Sequence, residues 1–181
     1  MDRRRLFVAV WPPAEVADRL GDLERPRRAG LLWTTSDQWH VTLRFLGSLA
    51  TDQEQAVRSA LDAVDWTAFG PTRATAGPQP VAIGRNTWAL PVHGVDALAG
   101  VAGAAVTEAG VDLPEADRGR PFRGHLTLAR AKTPPAMKHL PAPQFNASWV
   151  VQDVTLVWST LDPTAARYEV VERWRLDAAR D

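Results

Sequence analysis

Hydrophobic and polar positions repeat with two different periods along this chain. Leu6 to Trp11 is a short unbroken apolar run, read as a buried strand and stopped by Pro12-Pro13. The same prolines suit the start of a helix, where the first N–H groups need no acceptor. Val16, Leu20 and Leu23 then recur at helical spacing, with Glu15, Asp18, Arg19, Asp22 and Glu24 on the opposite face. Arg25-Pro26-Arg27-Arg28-Ala29-Gly30 ends that helix in a basic turn. From Trp39 to Leu46 the pattern is that of a strand, closed by Gly47. Thr51-Asp52-Gln53-Glu54 reads as a capping box for a second helix, with Val57, Ala60, Leu61 and Val64 facing inward.

Strand-like pieces follow at 72–76, 81–83 and 87–92, separated by Gly and Pro. A third helix is predicted from Asp96 to Ala109, with Leu98, Val101, Ala102 and Ala105 inward and Gly110 as its C-cap. Its small residues predict close packing against a sheet. Residues 111–124 read as a polar loop carrying Arg118, Arg120 and Arg123. Pro134, Pro135, Pro141 and Pro143 mark an irregular connection with one helical turn. Two final strands, 150–160 and 168–176, flank the turn signal Asp162-Pro163. The order β-α-β-α-β-β-α-β-β-β predicts an α+β fold with mainly antiparallel sheets.

Within that pattern two stretches share a tetrapeptide frame. His40-Val41-Thr42-Leu43 is echoed by His125-Leu126-Thr127-Leu128, 85 positions later. Each lies in strand-like surroundings downstream of a helix, so the two halves are expected to be related by a pseudo-twofold axis. Side chains two apart in a strand share a face. Each copy thus offers an imidazole and a hydroxyl side by side, with its apolar residues turned to the core. The two copies hold half of the chain's four histidines.

Composition narrows the chemistry. At 181 residues the chain suits one domain or two intimately joined lobes, and 45% apolar residues suffice for a core. Lys+Arg and Asp+Glu are both 21, which argues against coating long nucleic acid but leaves recognition of one phosphate or one RNA end open. With no cysteine there is no disulfide, thiolate metal site or cysteine nucleophile. The apolar run after Arg3-Arg4-Arg5 is too short for a signal peptide, and nothing approaches a membrane span, so a cytoplasmic protein is expected.

Two imidazoles on opposite sides of a cleft supply a base behind an attacking oxygen and an acid before a departing one, near neutral pH. Neighbouring threonine hydroxyls can hold the non-bridging oxygens of a phosphate. A half-buried packing histidine is the ordinary explanation of a single copy; the duplication argues against it. A zinc site would need two further ligands, and His93 and His139 stand in unrelated contexts. Serine-hydrolase elbows and phosphate-binding loops are absent.

The paired motifs resemble those of the 2H phosphoesterases. Nearly end to end, the chain is similar to the bacterial and archaeal RNA 2′,3′-cyclic phosphodiesterases, also known as 2′-5′ RNA ligases, the LigT-like family. The likeness is carried by Arg5-Leu6-Phe7-Val8-Ala9-Val10, by His40 to Gly47, by Arg120 to Arg130 and by Ala166-Arg167-Tyr168. One departure is Gly124, where relatives often carry proline, which predicts a more flexible strand entry.

The resemblance implies one domain over residues 1–181, made of two interleaved lobes. It also implies a bilobal fold with two mainly antiparallel sheets, helices outside and a central cleft. The implied reaction is hydrolysis of an RNA terminal 2′,3′-cyclic phosphate to a 2′-phosphate without metal or cofactor, with a reversible 2′-5′ ligation as a weaker activity. His40 and His125 are the implied acid–base pair; the near-symmetry of the motifs leaves open which is acid and which is base, His125 as base and His40 as acid being the preferred assignment. Thr42 and Thr127 are implied to hold the phosphate. Arg130, following the second motif, is the candidate for an added positive charge; strict alternation puts it on the face opposite His125, and a solvated strand-end arginine is the alternative.

Arg44, sharing a face with Thr42, is expected at the cleft rim. Arg118, Arg120 and Arg123 are candidates for steering RNA, and Phe45, Trp33, Trp39 and Phe122 for stacking on a base. The expected partners are RNA 3′ ends or nucleotides bearing a cyclic phosphate, with no membrane and no obligate protein partner, the protein being a monomer. The alternatives are a phosphodiesterase acting on small cyclic phosphates or 2′-5′ oligonucleotides, and a non-catalytic binder of nucleotides or RNA ends.

Overall fold

The computed structural model describes residues 3–111, 121–161 and 166–177. Among these residues ten strands and three α-helices run in the order β1 (Arg3–Val10), α1 (Ala14–Gly21), β2 (Leu31–Trp33), β3 (Val41–Ala50), α2 (Thr51–Asp62), β4 (Arg73–Ala76), β5 (Val81–Ile83), β6 (Thr87–His93), α3 (Asp96–Glu108), β7 (His125–Ala131), β8 (Ala147–Val150), β9 (Asp153–Leu161) and β10 (Ala166–Arg175). Every pairing is antiparallel. The main path of the sheet is β10-β9-β1-β3-β7-β6-β4-β8, with β2 against β7 and β5 against β6.

The two motif strands, β3 and β7, lie at the middle of that path and meet at one rung, Val41 opposite Leu126. These are equivalent positions, each following its motif histidine. On either side the path repeats: β1 flanks β3 as β6 flanks β7, and each outer strand leads through a helix to its motif strand. The expected pseudo-twofold passes through the Val41–Leu126 rung, and the expected two lobes are the halves of one curled sheet.

One face of this sheet carries the helices. Leu6, Val8 and Val10 of β1 pack there with Val16 and Leu20 of α1, Val57 and Leu61 of α2, and Leu98, Ala102 and Val106 of α3, all buried. Burial of this apolar surface is the main force holding the lobes together. Phe7, Ala9 and Val157 point the other way, forming a small cluster with Trp11, Phe45 and Tyr168. Successive residues of β1 thus separate a helix face from a cleft face.

Several expectations are corrected. The helix after the first motif is capped at Ala50, not Thr51: the Ala50 N–H donates to Gln53 Oε1 at 3.0 Å. Glu54 is drawn inward instead and pairs with Arg4 at 3.6 Å. β3 does not stop at Gly47 but runs on to Ala50; Gly47, at φ 74°, follows a bulge in the pairing with β1. The strand expected over 150–160 is two elements, β8 and β9, and β2 had no sequence signal. The turn at Asp162-Pro163 lies outside the described residues.

Gly124 is a matter of space rather than flexibility. Its carbonyl accepts from Val92 N–H at 2.8 Å, and a Cβ built on it would lie 2.4 Å from the Val92 carbonyl oxygen. The entry to the second motif is therefore fixed against β6.

Candidate active site

Register across the seam sets the geometry. In an antiparallel pair, directly opposed residues point to the same face. Val41 and Leu126 are wholly buried on the helix side. The residues one step away on each strand therefore turn to the cleft. That step places Thr42 across from His125, and His40 across from Thr127. A cleft cavity of about 380 Å³ is lined by Arg5, Phe7, His40, Thr42, Phe45, Arg130, Ser159, Ala166 and Tyr168. His125 and Thr127 do not line it; they stand on the opposite side of the seam.

His40 is held from every side. Its Nδ1 is 2.8 Å from the Gln38 carbonyl, so this nitrogen carries the proton and donates it. Nε2 is then left to accept from Thr42 Oγ1 at 3.1 Å. The ring stacks on Phe7 with centroids 4.6 Å apart, meets Tyr168 edge-on at 5.0 Å and lies tilted against Trp11 at 5.4 Å. Trp11 is anchored by its Nε1–H, which donates to Thr155 Oγ1 at 2.8 Å. Gln38 is anchored in turn, its Nε2 donating to the Ala166 carbonyl at 2.7 Å.

This enclosure lowers the His40 pKa from 6.5 to about 4. Desolvation by burial is the main cause; the Gln38 carbonyl opposes it, and the charges of Arg130 and His125 add to the lowering. The ring is therefore neutral at pH 7, with Nε2 bare. Arg130 and His125 thus lie within electrostatic reach of His40.

His125 repeats the backbone contact: its Nδ1 lies 2.8 Å from the Arg123 carbonyl, again two residues upstream. Both rings thus take the same tautomer and direct Nε2 away from the main chain. Among the described residues no aromatic ring stacks on His125.

Arg130 reaches the site through a bulge. His125, Thr127 and Arg130 oppose Pro91, Ala89 and Thr87 of β6, three successive residues of one face. The pairing slips by one between Trp88 and Ala89, so β7 carries an extra residue at Leu128. The slip reverses the phase, and Arg130 joins His125 on the cleft face against the expectation from strict alternation. Leu128 and Ala129, two neighbouring buried apolar residues, are the sequence trace of that bulge. Thr34 fastens it: its N–H donates to the Leu128 carbonyl at 2.9 Å, and its Oγ1 lies 2.7 Å from the Thr127 carbonyl. The Thr34 hydroxyl also accepts from Trp39 Nε1 at 2.9 Å, linking the connection that leads to His40 with β7.

A matching slip in β3 acts on Arg44 in the opposite sense. Thr42 opposes Ala9, but Arg44 opposes Val8, on the helix side. Arg44 is thereby removed from the cleft rim where alternation put it. Of the stacking candidates, Phe45 lines the cavity, Trp39 is buried, and Trp33 and Phe122 pack on the core. Arg123 is exposed and gives its carbonyl to His125, while Arg118 and Arg120 lie outside the described residues. Thr34, Arg5, Ser159 and Tyr168 were not singled out as site residues, because cross-strand neighbours are set by register rather than by local sequence.

Among the described residues no group of three His, Asp or Glu side chains is placed to hold a metal, and no helix is long and apolar enough to cross a membrane.

Comparison with known proteins bears on the same site. The family model described as LigT like Phosphoesterase matches residues 10–75, which contain the first motif. An RNA 2′,3′-cyclic phosphodiesterase of Thermus thermophilus is 30% identical over 192 residues, covering 95% of this chain and 90% of that protein. One from Escherichia coli is 28% identical over 180 residues, covering 96% and 97%. The crystal structure of E. coli LigT complexed with 3′-AMP matches the fold with a TM-score of 0.76 at 26% identity, over 97% of this chain and 99% of that one. A likeness that runs almost from end to end, in sequence and in fold, makes this chain a member of the LigT-like family of 2H phosphoesterases.

Proposed function

We propose that the protein hydrolyses the 2′,3′-cyclic phosphate at an RNA 3′ end to a 2′-phosphate, without a metal, using His40 and His125 as the proton-transferring pair. The observation that carries this reading is the Val41–Leu126 rung, which sets both His-x-Thr pairs on one face of adjoining strands. Relatives at 28% and 30% identity bear the name of that activity, and E. coli LigT, which shares the fold, has been crystallised with 3′-AMP.

The cyclic phosphate sits over the seam, its non-bridging oxygens taking hydrogen bonds from Thr42 and Thr127 and facing the Arg130 charge. Water attacks phosphorus in line with the bond to O3′. His125 Nε2 takes the proton of that water, and His40 gives one to O3′ as the P–O3′ bond breaks. The phosphate stays on O2′, and the ring protons are exchanged with solvent before the next turnover. With the 5′-hydroxyl of a second RNA in place of water, the same displacement forms a P–O5′ bond as P–O3′ breaks, the 5′-hydroxyl proton passing to His125 and O3′ taking one from His40, and joins the two RNAs through a 2′-5′ linkage.

For His40 to act as acid it must be protonated when substrate is bound, whereas in the free protein it is neutral. An anionic phosphate beside Nε2, displacing the Thr42 hydroxyl, favours the charged ring. Substrate binding in this scheme therefore carries a proton with it.

The test is incubation of the protein, with and without EDTA, with RNA ending in a 2′,3′-cyclic phosphate. The expected product carries a 2′-phosphate and forms equally in EDTA. A 3′-phosphate product, or no turnover, overturns the reading; loss of turnover in EDTA overturns its metal independence.

A further inference from the structure

The cavity contains more positive charge and more donors than one phosphate uses. In the cross-strand row of β3, β1, β9 and β10 lie Ser48, Arg5, Ser159 and Tyr168, each directly opposed to the next. Every side chain in this row can donate a hydrogen bond, and none is a carboxylate. Arg5, Ser159 and Tyr168 all line the cavity. Among the described residues Arg5 makes no ion pair. Its guanidinium lies over the Phe45 ring, 4.7 Å from the centroid, and so leans towards the motif. Arg130 and Arg5 both bear electrostatically on the Tyr168 hydroxyl, Arg130 more strongly.

Between this row and the motif is an apolar one: Phe45, Phe7, Val157 and Val170. The cleft floor thus reads donor, apolar, donor along the strands. The Arg5 and Ala9 backbones are about 13 Å apart at the usual strand rise, and the Arg5 side chain, folded back over Phe45, shortens the gap between the cations. A nucleic acid strand has the same alternation: phosphate, sugar and base, phosphate.

We propose that Arg5, Ser159 and Tyr168 form a second anion subsite, which takes the phosphate on the 5′ side of the nucleotide whose cyclic phosphate reacts over the seam. The preferred substrate then carries two phosphates one nucleotide apart, as an RNA end does and a lone cyclic nucleotide does not. This inference rests on the proposed function and names the substrate class for it.

Three substrates separate the terms: a nucleoside 2′,3′-cyclic phosphate, the same compound with a 5′-phosphate, and a dinucleotide ending in the cyclic phosphate. In the wild type both two-phosphate compounds are expected to exceed the first in kcat/KM by about tenfold, the scale of one charge-assisted hydrogen bond. Arg5→Met should reduce that ratio to near one and flatten the salt dependence of KM for the dinucleotide, while Arg5→Lys restores much of both. An unchanged ratio in Arg5→Met, or a gain with the dinucleotide but none with the 5′-phosphorylated mononucleotide, overturns the subsite. If the wild type turns over none of the three, the proposed function fails by itself. The subsite is then tested by binding, where a nucleoside 2′,5′-bisphosphate must bind about tenfold more tightly than the 2′-monophosphate and Arg5→Met must abolish the difference; equal affinities overturn it.

Discussion

The two halves of the cleft share a motif, a tautomer and a seam, yet they give their histidines different surroundings. On the β1–β3 side His40 is boxed by Phe7, Trp11 and Tyr168 and loses its affinity for a proton. On the β6–β7 side His125 has a carbonyl and a bulge, and its wall is aliphatic: Val81 faces Ala89, Ile83 faces Thr87, and Leu32 faces Arg130. Leu32 and Val81 remain 53% and 37% exposed there and form an apolar shelf. A fold built twice thus need not be a site built twice. In the proposed mechanism symmetry brings two identical reagents to one phosphorus, and the departures from it in the flanking strands are what would give them separate roles.

The harshest way to break this comparison is to delete the reagents. His40→Ala and His125→Ala should each lower kcat by about 10²–10⁴-fold, and the double variant should be scarcely worse than either single one, because the pair acts as a unit. Full activity in either single variant would sink the pairing. Next come the hydroxyls: Thr42→Val and Thr127→Val should each cost about 10²-fold in kcat. Only the first should move the His40 titration as followed by NMR of the ring, since only Thr42 bonds its Nε2.

Arg130→Met should cost about tenfold in kcat/KM and raise the His40 pKa, since the arginine charge helps to lower it. A smaller effect on rate is expected from Trp11→Ala, which admits water to the ring and shifts its pKa upward from about 4. No substitution in the aliphatic wall should do the same to His40.

The enclosure also marks the acid stability of the fold. Unfolded, the His40 ring takes a proton near 6.5; folded, it refuses one until about 4. Between those values the unfolded chain binds more protons, so stability falls as pH drops through that window. Urea midpoints at pH 7 and pH 4 should differ less in His40→Gln than in the wild type.

Much of this was legible before any coordinates. Helical spacing located α1, α2 and α3, and the repeated His-x-Thr-Leu pointed to the two strands that meet at the centre. What alternation alone misplaced were Arg130 and Arg44, each thrown to the other face by one extra residue in its strand. Bulges are decided by the partner strand and by groups such as Thr34 that satisfy the displaced carbonyls, and those come from far along the chain. The second donor row was hidden for the same reason. Arg5, Ser159 and Tyr168 belong to three strands and become neighbours only when the register is known.

The partners of the two Nδ1 atoms are peptide oxygens, at Gln38 and Arg123, two positions before each ring. A side-chain partner can be erased by a single codon change, but a main-chain oxygen is present whatever residue occupies the position. The location of the ring proton is therefore written into the path of the polypeptide, and it can drift through sequence space unaltered so long as that path is kept.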